Sequence, residues 1–218
     1  MAQVPRQMYP EFRVNRAAIS SLPLGLAHGL IQYLQKFPHG CTEQLVSQAL
    51  PAIVLRGRPE FGFAPEVAEH SLQSILTSLR SRQNDDGGFG LWQNASQVSD
   101  FASVYATHFL IEARDRGFAV PPEVMKKSLE YVTQLASRET DSLAGERQRA
   151  YAVYVLSRSG VVTSQYLGSV QKTLENSFKD QWKRDLAGIY LAAAYKLLKQ
   201  ERKAQDKISI LIDSDGVC

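Results

Sequence analysis

A cysteine and a glutamine three positions apart, Cys41 and Gln44, could form an internal thioester. They lie where a loop is expected to lead into a helix, and residues three apart in a first helical turn lie on the same side within reach of each other. The Cys41 sulfur could attack the Gln44 amide carbon and expel ammonia, which closes a thioester. Gly40 removes side-chain bulk where the chain must bend tightly. The N-terminus of a helix also favours the thiolate, both before the bond forms and after it opens.

Cys41 also has a plainer interpretation, because most free cysteines act as small buried hydrophobic residues. The chain contains two cysteines, Cys41 and the terminal Cys218. A secreted domain held by disulfides usually has more of them, and a bridge between these two has no support in the sequence. A free terminal thiol is the simpler interpretation of Cys218. The Cys41 motif therefore needs support from other segments before a thioester is assigned.

A second unusual segment is the loop at residues 83–92, which is dense in Asn, Asp and Gly. Asp85 and Asp86 could suggest a metal or diphosphate site, but loops of this composition form turns without any ligand, and turn chemistry is favoured. No group of His, Cys and Asp has metal-ligand spacing, so no metal or cofactor is predicted. Phe89 and Trp92 are expected to anchor the loop on the helices. The residues expected to build this structural loop are Asp86, Gly87, Gly88, Phe89 and Trp92.

The elements that must position these residues are helices, because apolar residues recur at helical spacing along nearly the whole chain. No segment alternates convincingly with the period of two that strands require. The pattern predicts about eight helices, at residues 18–36, 42–55, 65–82, 100–116, 122–137, 145–159, 162–178 and 182–200. Pro51 is expected to kink the second helix or end it early. Short connections make neighbouring helices antiparallel, which predicts an all-α fold: a bundle, a solenoid or an α/α toroid.

Composition limits the class of protein. The chain has 218 residues, enough for one domain or a large part of one, and its 44% hydrophobic and 22% charged residues are typical of a globular protein. Its net charge of +3 is small and scattered, which argues against nucleic acid as the main partner. The N-terminus has no apolar signal core. The chain is therefore a cytosolic protein or a piece of a longer exported one, and its ends favour the second interpretation.

Support for the thioester comes from a family resemblance. Residues 37–44 read Phe-Pro-His-Gly-Cys-Thr-Glu-Gln, which resembles the thioester signature of bacterial alpha-2-macroglobulins, relatives of the complement components. Residues 83–92, 106–113 and 151–158 resemble later segments of the same family, in order and with plausible spacing. The resemblance implies an α/α toroid of helical hairpins, the thioester-domain type, over residues 17–218. Residues 1–16 would be an N-terminal extension or linker. The family's domain is longer, so the toroid is expected to be incomplete.

The resemblance implies a single-use covalent trap, an endopeptidase inhibitor of bacterial defence rather than an enzyme. A protease would cleave a bait region elsewhere in the full protein, and a lysine amine of that protease would attack the Gln44 acyl carbon and free the Cys41 thiol. Phe37, four positions before the cysteine, and His39 would shield the bond from water. Glu43 would bind backbone donors, assist thioester formation, or simply be a solvated carboxylate.

Some complement proteins use a distant histidine to pass the acyl group to hydroxyls, and this sequence has no convincing equivalent. Residues 137–149, where it is expected, contain no histidine, and His108 has the position of a satisfied core or interface histidine. Direct attack by amines is therefore favoured over transfer to hydroxyls.

Partners and location follow from the resemblance alone. They are target proteases, the other domains of the full inhibitor, and a peptidoglycan-synthesising penicillin-binding protein, in the periplasm at the inner membrane. Two alternatives stay open: a terpene cyclase or prenyltransferase-like toroid enzyme, and a thioester-free binding domain of the same family. The first would need an Asp-rich acid motif or a zinc set, and neither occurs here; the Cys-x-Glu-Gln motif argues against the second.

Overall fold

The structure, a computed structural model, describes residues 29–34 and 40–214, with side chains up to residue 210. By its internal contacts the chain divides into residues 1–37 and residues 38–218. The first unit contributes the helical residues 29–34, which we label α1. The domain boundary predicted near residue 17 lies outside the described residues.

The second unit is helical throughout. Its helices are α2 (Thr42–Val54), α3 (Pro65–Arg80), α4 (Asp100–Asp115), α5 (Pro122–Ser137), α6 (Leu143–Arg158), α7 (Ser164–Ser177), α8 (Leu186–Leu197) and α9 (Glu201–Ser214), with 3-10 turns at Pro59–Phe61 and Gln181–Arg184. Over residues 29–34 and 40–214, no strand forms and only three isolated β-bridges occur. The all-α prediction is confirmed.

The helices form two layers that alternate along the chain. α2, α4, α6 and α8 contact one another in succession and form the inner layer. α3, α5, α7 and α9 lie outside them, each packed on the helix before it in the chain. This alternation of inner and outer helices is the arrangement of helical hairpins that an α/α toroid requires.

Burial explains which helix takes which layer. On the inner helix α4, ten residues are buried, including the predicted core residues Val104, Phe109 and Leu110. The outer helix α3 is amphipathic and buries a single stripe of side chains: Ala68, Leu72, Ile75, Leu76 and Leu79. Helical spacing predicts Val67 on the same face as Leu72, Ile75, Leu76 and Leu79, but 45% of Val67 is exposed. The next residue, Ala68, lies about 100° further around the helix and is buried on the stripe instead.

Pro51 was expected to kink α2 or end it early, and the helix does not end there. It continues to Val54, because proline lacks an N–H donor but its carbonyl still accepts a hydrogen bond, here from Leu55 N–H at 2.9 Å. The helix predicted at residues 182–200 is broken at Asp185. Its carboxylate accepts a hydrogen bond from Ala187 N–H at 2.9 Å, so Asp185 caps a new helix, α8. In the described part of the chain, no helix is both long and apolar enough to cross a membrane.

Candidate thioester site

Cys41 is the N-cap residue of α2. Its backbone is extended, and its carbonyl accepts the first helical hydrogen bond from Leu45 N–H at 3.0 Å. The side chain is buried, with 8% exposed. Gly40 lies just before it, and a Cβ added there would meet no described atom within 4 Å. Residues 35–39 lie outside the described residues, so the reduced bulk expected of Gly40 stays a prediction.

The Gln44 side chain folds back onto the cysteine. Cys41 N–H donates a hydrogen bond to Gln44 Oε1 at 3.3 Å, and Gln44 N–H faces the Cys41 side chain in return, which completes a capping box. The spacing of three residues thus brings the thiol and the carboxamide into one helical turn. A capping box needs no further chemistry, but here the capping groups are also a nucleophile and an acyl group.

Glu43 lies against the sulfur. The Cys41 thiol donates to Glu43 Oε2 at 3.4 Å, and this carboxylate is half-buried in the first turn of α2. A carboxylate is favoured at a helix N-terminus by the helix dipole. Of the three roles considered for Glu43, the geometry matches contact with the thiol rather than binding to backbone donors.

Thr42, which sequence reasoning did not single out, connects the cysteine turn to the loop at residues 83–92. It is fully buried, its N–H donates to Leu91 O at 2.9 Å, and its Oγ1 donates to Gly90 O at 2.6 Å. Two of the four segments that carry the family resemblance are therefore in direct contact. Their separation by about fifty residues hid this contact from any local sequence pattern.

Arg82 is the other residue that sequence reasoning missed. Its Nη1 donates to Thr42 Oγ1 at 3.2 Å and to Leu91 O at 2.9 Å. Burial lowers the pKa of Arg82, and the charge that Cys41 carries as a thiolate raises it in part. A single guanidinium therefore joins the end of α3, the loop and the start of α2.

The loop itself is held by close backbone packing. Gly87 has a φ of +90°, and a Cβ there would lie 2.0 Å from Lys127 O. A Cβ at Gly88 would lie 2.4 Å from Val98 Cγ1. Asn84 closes the turn, since its Oδ1 accepts from Gly88 N–H at 3.1 Å and its N–H donates to Gly88 O at 2.9 Å. Both glycines are required by the space available, and the turn explains the loop composition without a ligand.

The side chains of the loop are placed unequally. Phe89 is completely buried, and Asp85 and Asp86 are exposed. Trp92 was expected to be a second anchor, but 52% of it is exposed. The anchoring at this end comes instead from the backbone carbonyl of Leu91, which Thr42 and Arg82 hold. Among the described residues, no three His, Cys, Asp or Glu side chains group as a metal site would need.

His108 lies in a separate place, a cavity of about 360 Å³ on the inner layer. This tyrosine-lined cavity is bounded by Leu50, Val54, Tyr105, His108, Phe109, Glu112, Tyr151, Tyr154, Arg158 and Tyr190. His108 Nδ1 is 2.9 Å from Tyr151 OH, and its Nε2 is 3.5 Å from Glu112 Oε1. Leu50 lies nine residues beyond Cys41, which is about 13 Å along α2 at 1.5 Å per residue. His108 lies on the inner layer, but the prediction that it is fully satisfied is wrong: its buried Nε2 makes only the 3.5 Å contact with Glu112 and has no hydrogen-bond partner among the described residues. Phe37, His39 and Cys218 lie outside the described residues.

Known proteins resemble this chain in sequence. No family model matches it. An alpha-2-macroglobulin of Rickettsia conorii is 38% identical over 208 residues, which are 93% of this chain and 11% of the relative. An alpha-2-macroglobulin homolog of Yersinia pestis is 37% identical over 201 residues, 91% of this chain and 10% of the relative. The chain thus spans about a tenth of the length of these relatives.

Solved structures resemble it in fold. Native Escherichia coli alpha-2-macroglobulin, from domain MG7 to the C-terminus, matches with a TM-score of 0.73 at 20% identity, over 84% of this chain and 30% of that one. Salmonella alpha-2-macroglobulin reacted with methylamine matches with a TM-score of 0.72 at 23% identity, over 84% of this chain and 12% of that one. Trypsin-activated Escherichia coli alpha-2-macroglobulin matches with a TM-score of 0.66 at 19% identity, over 81% of this chain and 13% of that one.

The layered helices and these structural neighbours define the class first: the chain is an α/α toroid of the thioester-domain type, as the sequence predicted. At 19 to 23% identity the structures show the fold alone. The sequence relatives are more specific. With 38% and 37% identity over 93% and 91% of its length, the chain belongs to the bacterial alpha-2-macroglobulin family.

Proposed function

We propose that this chain is the thioester-bearing part of a protease inhibitor, which transfers the Gln44 acyl group from the Cys41 sulfur to an amine of the attacking protease. The observation that carries the proposal is the capping box, in which the Gln44 carboxamide lies against Cys41, with Oε1 3.3 Å from the Cys41 nitrogen. A nucleophile and an acyl carbon held in one turn react as an intramolecular pair, which strongly favours bond formation.

Formation of the thioester needs the Cys41 proton to leave. Glu43 Oε2, at 3.4 Å from the sulfur, is the group placed to accept it. The sulfur then attacks the Gln44 amide carbon, the C–N bond breaks, and the nitrogen leaves as ammonia with the thiol proton. The products are one thioester and one ammonia, and no oxidant or cofactor takes part.

Transfer uses the same carbon. The amine nitrogen attacks the Gln44 acyl carbon, the C–S bond breaks, and its electron pair returns to the Cys41 sulfur. The amine proton finally reaches the sulfur or solvent, which leaves an amide and a free thiol. Direct aminolysis is favoured because His108, the inner-layer histidine, lies in the tyrosine-lined cavity and is bonded to Tyr151.

The relatives support this function without fixing it for this chain. One structural neighbour was activated by trypsin and another was reacted with methylamine, a small amine that can take the place of a lysine side chain. We therefore expect proteases as targets and lysine amines as acceptors. The alternatives, a terpene cyclase-like toroid enzyme or a thioester-free binding domain, predict no reaction with methylamine.

Mass spectrometry of the freshly purified chain tests the proposal. We expect a mass about 17 Da below the sequence mass, methylamine attached at Gln44, and release of one thiol. A Cys41→Ser variant should show none of these three results, while Cys218→Ser, which removes the other thiol, should show all three.

Peptide mapping covers the case in which water has already opened the bond. Hydrolysis of the thioester converts Gln44 to glutamate, a gain of about 1 Da at that residue, and Cys41→Ser should prevent it. A fresh chain with Gln44 unmodified, no mass deficit and no methylamine adduct would contradict the proposed function.

A further inference from the structure

The guanidinium of Arg82 is fixed at the base of the cysteine turn. Its Nη1 contacts Thr42 Oγ1 at 3.2 Å and Leu91 O at 2.9 Å, and Thr42 follows Cys41 directly in the chain. Thr42 is fully buried and held by the loop backbone, so it has little freedom to move. Arg82 therefore holds the residue that directly follows Cys41 in the chain.

The charge of Arg82 is not neutralised by the groups that hold it. Both of its described acceptors, a hydroxyl and a carbonyl, are neutral. Its Nε is buried and has no hydrogen-bond partner among the residues that the structure describes. The side chain is half-buried, so solvent screens this charge less than it screens a surface arginine. The positive charge is consequently available to a negative group nearby.

Cys41 is that group. It directly precedes Thr42, whose Oγ1 lies 3.2 Å from Arg82 Nη1, so the two residues are close. A thiolate at Cys41 raises the pKa of Arg82 against the lowering effect of burial, which agrees with this proximity. The Glu43 carboxylate, at 3.4 Å from the sulfur, has the opposite effect on an anion there. The surroundings of Cys41 thus include one carboxylate, suited to take a proton from the sulfur, and one guanidinium, suited to stabilise negative charge on it.

We propose that Arg82 is a positioning residue for acyl transfer: it holds the Cys41 turn through Thr42 and stabilises the negative charge that the sulfur acquires when the C–S bond breaks. This inference rests on the proposed function. In the step concerned, the amine attacks the Gln44 acyl carbon and the electron pair of the C–S bond passes to sulfur. Charge that develops in the transition state is stabilised most by groups already in place, and the contacts of Arg82 keep it in place.

Two alkylating reagents measure the electrostatic effect on Cys41. Iodoacetate is an anion and iodoacetamide is neutral, and both react with the thiolate, so the ratio of their rates reports the local potential and not the fraction of thiolate. The experiment uses the full chain with Cys218→Ser, at low salt, after methylamine treatment. We expect Arg82→Gln to lower the iodoacetate-to-iodoacetamide ratio by roughly three- to tenfold, the effect of one nearby charge.

Matched variants separate this effect from damage to the fold. Arg80→Gln removes the same charge from an exposed position on the same helix end and should change the ratio less than about twofold. Arg82→Lys should keep most of the ratio, and Glu43→Gln should raise it. If Arg82→Gln does not fold, Arg82→Met retains the apolar stem and replaces it. Only variants that keep the wild-type urea unfolding transition are compared, because unfolding would itself separate the charged groups from the sulfur.

The acyl-transfer rate completes the test. We expect methylamine to react several-fold more slowly in Arg82→Gln than in Arg80→Gln, with partial recovery in Arg82→Lys. A ratio equal in the Arg82 and Arg80 variants would overturn the inference. Because the alkylation ratio is measured on a free thiol, it decides this inference even in a chain whose Gln44 never forms a thioester. Failure of Gln44 to form a thioester would contradict the proposed function but would not change the alkylation ratio.

Discussion

The cysteine turn and the tyrosine-lined cavity both lie on the inner layer, yet they are built in opposite ways. At the turn, backbone groups do most of the positioning: Leu91 and Gly90 offer carbonyls to Thr42, and Gly87 packs against Lys127. In the cavity, polar side chains contact one another, although the buried Nε2 of His108 has no hydrogen-bond partner among the described residues. His108 bonds to Tyr151, and Glu112 forms ion pairs with Arg116 and Arg158. The cysteine turn therefore holds a reactive group in position, whereas the polar side chains of the cavity mostly bind one another.

The stacked rings of the cavity support the same conclusion. Tyr151 and Tyr190 stack with their centroids 4.5 Å apart, and His108 meets Tyr151 and Tyr154 edge-on. Rings packed in this way stabilise the inner layer by burying large areas. We therefore assign the cavity a structural role and expect substitutions there to change stability rather than acyl transfer.

The largest effect is expected from Gly87→Ala at the loop. The new Cβ would lie 2.0 Å from Lys127 O at a φ of +90°, so the loop would have to leave its place under the cysteine turn. We expect a loss of about 3–5 kcal/mol in the free energy of unfolding, measured by urea denaturation.

Gly117→Ala is the matched control for Gly87→Ala. Its φ of +80° imposes a similar backbone strain, but its Cβ would meet no described atom within 4 Å. The expected cost is about 1 kcal/mol. Equal costs at the two glycines would show that backbone strain matters here and that close packing of the loop does not.

An intermediate effect is expected at Thr42, where a hydroxyl and a methyl group can be tested separately. Thr42→Val keeps the shape but removes the hydroxyl that contacts Gly90 O and Arg82, at a cost of about 1–3 kcal/mol for unsatisfied buried groups. Thr42→Ser keeps the hydroxyl and loses a methyl group, at a cost of about 1 kcal/mol. Urea denaturation gives both values. A valine variant as stable as the serine variant would mean that the hydroxyl does not hold the turn.

The helices and the reactive pair were predictable from the sequence because their signals are local. Periodicity located α2 to α8 apart from their ends but missed α9 (Glu201–Ser214), and the spacing of Cys41 and Gln44 placed both at a helix start. The support for that turn was not predictable. Thr42 meets the loop 48 and 49 residues further along the chain, and Arg82 reaches back 40 residues to it. Such contacts depend on how the hairpins pack, and nothing in the local sequence of Thr42 or Arg82 records them.

Trp92 also shows that the local sequence does not decide which side chains are buried. A large aromatic residue in a glycine-rich loop suggests a buried anchor, but the backbone carbonyl of Leu91 already holds this part of the loop. The adjacent tryptophan side chain is left 52% exposed. Residue type predicted burial correctly for Phe89 and wrongly for Trp92, because only the packing decides which of the two side chains faces the core.

The smallest effect is expected from His108→Gln in the cavity, and it should appear as a dependence on pH. Burial is the main cause that lowers the pKa of His108; Glu112 raises it and Arg158 lowers it further. At a pH below the ordinary histidine pKa of about 6.5, His108 therefore binds a proton in the unfolded chain more readily than in the folded chain. Stability from this residue is complete above that pH and is lost as the pH falls through it. The difference in unfolding free energy between the wild type and His108→Gln should shrink between pH 7.5 and 5.5, about two units around that value.

The same variant tests the functional side of the comparison between turn and cavity. If the cavity is structural, His108→Gln should react with methylamine within about twofold of the wild-type rate, since direct aminolysis needs no histidine to carry the acyl group. If His108 took part in transfer, the rate would fall by about a hundredfold, as for a lost general acid or base. A fall of that size, with stability unchanged across this pH range, would show that His108 in the cavity takes part in acyl transfer. It would also require the inner helices to bring His108 to the acyl carbon of Gln44, which does not line the cavity that holds His108.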